Sequence, residues 1–225
     1  MPNTNGAAVE LELGYLRFCG DEAARWRSEL NTRESAGIRE TLRRALKVMQ
    51  RGELEQGSAM LDAADAALRA LSAQFPSVPR FMRRQYLSIL AYFHYRSGRL
   101  EEARVDLEEA HQEVRWLAES HPFLLPIAIQ CIDIYTQSAR IARHENRWRE
   151  VERYLGILGG IYRDERPLCV LSTGRPVRLS DVRGFFTALQ LDDRSLVGSW
   201  EAHPEMIVHL EENIFTLPDM VIPYP

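Results

Sequence analysis

Three times in this chain a single glycine or asparagine interrupts a helical pattern and is followed by apolar residues three and four positions apart. In the middle instance Gly98 precedes Leu100, Ala103, Leu107, Ala110, Val114 and Leu117, one continuous stripe on a long helix. Gly52 precedes Leu54, Gly57, Leu61 and Ala64, and Asn146 precedes Trp148, Val151, Leu155 and Leu158. The breaks lie 46 and 48 residues apart, and Ala45, Ala91 and Ala139 stand seven positions before them. Glycine and asparagine tolerate the left-handed backbone position that ends one helix before the next begins. The alanines let paired helices approach closely. Each unit is therefore expected to be a helix pair, with first helices near 34–51, 81–97 and 124–144. Pro79 precedes the second of these, and Pro122 and Pro126 fall in the first turns of the third, where a missing N–H costs little.

The small–Gly–large–Ala–large–Ala spacing of Ala91, Gly98, Leu100, Ala103, Leu107 and Ala110 resembles the tetratricopeptide repeat family. The resemblance covers residues 34–162. It is fullest in the middle unit, since Gly57 and Val151 replace the central alanine in the neighbouring units. The units are also longer than the family's usual repeat of about 34 residues. The resemblance implies an all-α fold, a right-handed solenoid of antiparallel helix pairs whose inner groove holds other proteins. Carried onto this sequence, the family's inward-facing positions are Gln85, Ser88, Tyr92, Tyr95 and Arg96 in the second unit, then Asp133, Thr136, Arg140, Arg143 and His144 in the third. That wall is polar, aromatic and largely cationic, and Arg140 and Arg143 are expected to be exposed on it. The family's carboxylate-clamping members use lysine and asparagine at such places. Here arginine would do the gripping, in bidentate fashion. The first-unit counterparts, including Leu42, Leu46 and Met49, are apolar and suit a covering by the N-terminal helices.

The flanks divide the chain into an N-terminal cap at 1–33, the repeats at 34–162 and a C-terminal segment at 163–225. VELELGYLRF alternates as a strand would, but two helical segments capping the first pair are favoured, because an open solenoid end exposes an apolar face. The segment PLCVLSTGRPVRLS carries a turn signal at Ser172-Thr173-Gly174 between apolar runs, as in a short hairpin or an irregular loop. Ser180-Asp181 begins a helix with Val182, Phe185, Phe186 and Leu189. A further helix is expected near 204–215, where Met206, Ile207, Leu210, Ile214 and Phe215 would cover the last pair. The ending TLPDMVIPYP is extended by its prolines.

Charge and composition remove several function classes. The net charge is −4, yet Glu201, Glu205, Glu211, Glu212 and Asp219 put −5 on the segment after residue 194, so residues 1–194 carry +1. A nucleic-acid binder should show a strongly basic face, and this body is nearly neutral. Lys47 is the sole lysine among 28 basic residues and sits inside a helical pattern, which leaves no phosphate-binding GxxxxGK loop and no Schiff-base lysine elsewhere. No apolar run is long enough for a bilayer, and the N-terminus has acids where a signal peptide has bases, so no membrane and a cytoplasmic location are expected. Cys19, Cys131 and Cys169 are scattered without CxxC spacing and read as buried thiols.

Catalytic and metal signatures are sparse. Glu108-x-x-His111 has the spacing of half a carboxylate-bridged di-metal site, but such a site needs a second pair and further carboxylates. None is found, and both residues flank the core stripe, as a solvated helix face would. GxSxG, HExxH, GxGxxG and CxxC do not occur, and His121 and His203 precede prolines as turn residues do. No cofactor and no metal are expected. The leading expectation is a non-enzymatic bacterial adaptor or regulatory subunit that binds a protein or acidic peptide. The alternative is an enzyme or catalytic accessory of a bacterial biosynthetic pathway with its site near 163–203. A third is a self-assembling homo-oligomer that uses the solenoid ends.

Overall fold

The structure is a computed structural model, described here over residues 13–190. Its elements are α1 (Asp21–Leu30), α2 (Arg33–Gln50), α3 (Leu54–Ala70), α4 (Ser77–Arg96), α5 (Leu100–Ser120), α6 (Cys131–His144), α7 (Trp148–Tyr162), the strands β1 (Cys169–Val170) and β2 (Pro176–Val177), and α8 (Leu179–Ala188). Two 3-10 segments, Gly14–Phe18 and Pro122–Gln130, complete the set. The fold is all-α with a small two-stranded sheet. All three expected breaks carry positive φ: 91° at Gly52, 73° at Gly98 and 58° at Asn146. The helices on either side of each break pack together, α2 on α3, α4 on α5 and α6 on α7.

The third pair starts later than its sequence pattern. Helix was expected from 124, yet the α-helix begins at Cys131 behind a 3-10 stretch that contains Pro126. Proline has no N–H to donate and its ring crowds the preceding turn, so a regular α-helix does not form through it.

Contacts divide the described residues into two compact units, 25–124 and 13–24 with 125–190, a division that differs from the expected boundaries at 33 and 162. In the first unit α4 packs on α2, α3 and α5. Its core includes Trp26, Leu42, Met49, Leu61, Phe81, Met82 and Leu117. Trp26 is fully buried. Its ring meets Phe81 edge-on at 5.6 Å and Phe123 at 6.2 Å, and its Nε1–H donates to Ser77 Oγ at 2.8 Å. The Glu29 carboxylate accepts the backbone N–H groups of Gln74 and Phe75, tying α1 to the start of α4. Thr32 Oγ1 accepts the Ser35 N–H and caps α2. Across α4 and α5, Arg80 pairs with Glu113 at 3.1 Å and Arg83 with Glu109 at 3.0 Å.

In the second unit β1 and β2 pair antiparallel, with Cys169 opposite Val177 and Val170 opposite Pro176, around a turn where Gly174 has φ 82°. The sequence left hairpin and irregular loop open here; the structure forms the hairpin. Asp181 Oδ2 accepts the Arg178 N–H at 2.7 Å and fixes the start of α8. Tyr15 meets Phe185 and Phe186 of α8 edge-on at 5.7 and 5.5 Å, so the 3-10 segment Gly14–Phe18 joins the C-terminal part of the chain. The expected helix near 204–215, its apolar cap, the acidic segment, the extended ending and the first residues of VELELGYLRF lie outside the described residues.

Candidate functional site

Gln85, Ser88, Tyr92, Tyr95 and Arg96 are spaced at three and four along α4 and share one face. All five are half-buried. Towards the start of the helix the same face closes. Phe81 is fully buried under Trp26, and Arg84, at 2 % exposure, holds its guanidinium 5.5 Å from the Phe81 ring. The accessible part of the face is thus its last three turns. There Arg96 Nη1 donates to the Tyr92 hydroxyl at 2.9 Å, and its guanidinium carbon sits 5.8 Å from the centre of the same ring. The phenol holds the guanidinium against the helix and leaves its other N–H groups for an acceptor. The Ser88 oxygen, one turn earlier, is buried with no hydrogen-bond partner. Donors therefore dominate this face, and none of its five residues is a carboxylate.

The set expected on α6 behaves differently. Thr136 is fully buried and donates its hydroxyl to the Ile132 carbonyl at 2.8 Å. Arg140, expected in water, is only 7 % exposed and donates to Gln137 Oε1 at 3.4 Å. Asp133 is half-buried and accepts from Gln137 Nε2, Arg143 is half-buried, and only His144 is exposed. Buried residues surround α6: Cys131, Ile132, Ile134, Ala139, Ile141 and Ala142 lie on several sides of it. Thr136 and Arg140 are therefore core members, whereas Asp133, Arg143 and His144 keep part or most of their contact with water. The α4 set falls in the unit 25–124 and the α6 set in the other unit.

One polar pair escaped the sequence reading. His94 Nδ1 lies 2.6 Å from Asp106 Oδ2, joining the last turn of α4 to α5. Burial raises the Asp106 carboxyl above its ordinary range, and the facing His94 opposes that shift. Its signal was available: Asp106 follows Ala103 by three positions and precedes Ala110 by four, which places a carboxylate beside the core stripe.

Among the weaker candidates, Glu108 is exposed, while His111 is half-buried with its pKa lowered by burial. No group of three or more His, Cys, Asp or Glu residues placed to hold a metal ion occurs among the described residues. In the described part of 163–203, Asp164 is tied to the start of α8: its Oδ1 accepts the Ser180 N–H at 3.1 Å and its carbonyl accepts Arg178 Nη1 at 2.6 Å. The cysteines are free, with Cys131 and Cys169 buried as expected and Cys19 half-buried. No helix among the described residues is long and apolar enough to cross a membrane. No family model matches the chain, and neither a curated protein nor a solved structure matches it.

Proposed function

We propose that this chain is a non-enzymatic binding protein, an adaptor or regulatory subunit that holds an extended acidic segment of a protein partner against α4. The observation that carries the reading is the half-buried row of Gln85, Ser88, Tyr92, Tyr95 and Arg96, with Arg96 held in place by Tyr92. An extended peptide takes main-chain hydrogen bonds from Gln85, lays apolar atoms on the two phenol rings and sets a carboxylate on Arg96. In this reading the pairs α2/α3 and α4/α5 stack as tetratricopeptide repeats do, with this row on their inner face. Of the ten positions first assigned to the groove, the accessible ones on α4 carry the binding, and Thr136 and Arg140 hold α6 in place.

Fluorescence anisotropy with labelled ten-residue Glu/Asp-rich and Lys/Arg-rich peptides tests the proposal. The acidic peptides should bind and the basic ones should not. Arg96→Ala should weaken binding about tenfold or more, because a hydrogen bond to a charged group contributes about 1.5–3 kcal/mol. Equal affinity for Arg96→Ala, in a variant with an unchanged melting curve, would sink the proposal.

A further inference from the structure

Within the unit 25–124 charge is sorted by helix. Helix α2 with its C-cap Arg51 holds six cations against two carboxylates, and α5 holds seven carboxylates against two arginines. Helix α4 packs on both of them. On α2 the solvent side is a row: Arg44, Lys47 and Arg51 are exposed, spaced at three and four, and make no ion pair among the described residues, whereas Glu40, one turn earlier in the same row, is paired with Arg43 at 2.9 Å. On α5 the solvent side presents Glu101, Val105 and Glu108 at the same spacing, all exposed, with Val105 at 52 % and with Glu101 paired to Arg104 of the same helix at 3.2 Å.

Matching of charges to the helix dipoles accounts for only part of this sorting. It favours Lys47 in the last turn of α2 and Glu101 in the first turn of α5. It gives no reason for Glu108 in mid-helix or for Glu119 near the C-terminal end of α5, where a carboxylate is disfavoured. The mainly cationic face of α2 and the mainly anionic face of α5 are complementary to each other, and within one molecule α4 packs against both helices that carry them.

We propose that the α2 cation row docks on the α5 carboxylate face of a second copy of this chain. The two surfaces differ, so the contact is head-to-tail and leaves one free face of each kind for the next copy. Its attraction is mostly between solvated charges, which makes it strongly dependent on salt. Exposed Val105 adds an apolar centre on the α5 side.

Sedimentation velocity on the full chain tests this. At about 0.01 M salt, where the Debye length is about 30 Å, the sedimentation coefficient should rise with protein concentration. At about 1 M salt, where it is about 3 Å, the rise should vanish. Arg44→Glu with Arg51→Glu, and separately Glu101→Arg with Glu108→Arg, should each abolish association when sedimented alone. An equimolar mixture of the two variants should associate again, since each supplies the face that the other has lost. Every substituted position is exposed, and far-ultraviolet circular dichroism confirms that each variant is folded. Wild-type protein that stays monomeric at low salt at all concentrations overturns the proposal. So does either variant associating by itself, or a mixture that stays monomeric.

Discussion

Gly57 stands where the middle repeat has Ala103, and the structure gives the reason. A Cβ built on Gly57 would overlap Met49 Cγ and come within 3.0 Å of its Sδ. Met49 is fully buried, so its side chain from α2 fills the hollow that glycine leaves on α3. Alanine at 57 brings two opposed effects. Helix propensity favours it by at most about 1 kcal/mol. Overpacking opposes it by about 1–3 kcal/mol, because a mid-chain atom of a buried methionine must move. The expected net loss is about 0–2 kcal/mol, a fall in melting temperature of about 2–4 °C per kcal/mol for a chain of this size. The Met49→Ala variant alone should lose about 2–5 kcal/mol by leaving a cavity. In the double variant the new methyl partly fills that cavity, so the combined loss should be smaller than the two single losses added. Urea and thermal unfolding of the four proteins measure all of these quantities. A Gly57→Ala protein more stable by the full propensity increment, with additive behaviour against Met49→Ala, would refute the reasoning.

Other expectations concern single positions. Gly98 has φ 73°, so Gly98→Ala should cost about 1 kcal/mol in thermal unfolding, and Gly98→Asn less, since Asn146 already holds φ 58° at the third break. Equal losses would show that the left-handed backbone is not what selects the residue. Burial lowers the pKa of His111 from its ordinary value of 6.5, which means that the unfolded chain takes up this proton more readily than the folded one. Stability should therefore be whole above pH 6.5 and fall as pH drops below it towards the folded-state pKa, and His111→Gln should flatten that slope in melts between about pH 7 and pH 5.

The breaks and stripes were legible in the sequence because each depends on neighbours within one or two turns. Whether a residue accepts positive φ is decided by its own Cβ and the adjacent carbonyls, so Gly52, Gly98 and Asn146 could be placed without any knowledge of the fold. The start of α8 followed in the same way from Asp181, which binds the Arg178 N–H three residues away. The α4 face could also be identified as a set, since helical spacing alone puts its five residues together.

Burial of the polar stripes was decided elsewhere. Spacing puts Arg140 and Arg96 on polar faces of their helices alike, yet Arg140 is buried and Arg96 is half-exposed. A stripe's composition records what one helix can offer; whether water reaches it depends on which distant elements pack there. Trp26 closing over Phe81, Tyr15 meeting Phe185 and Phe186, and Met49 filling the space above Gly57 are all contacts of this kind. The first two join residues more than fifty positions apart and the third crosses a helix break, and no local periodicity encodes them. Backbone sterics and helical periodicity act over a few residues and can be read directly from the chain, whereas side-chain burial is a property of surfaces that meet only after the helices have packed.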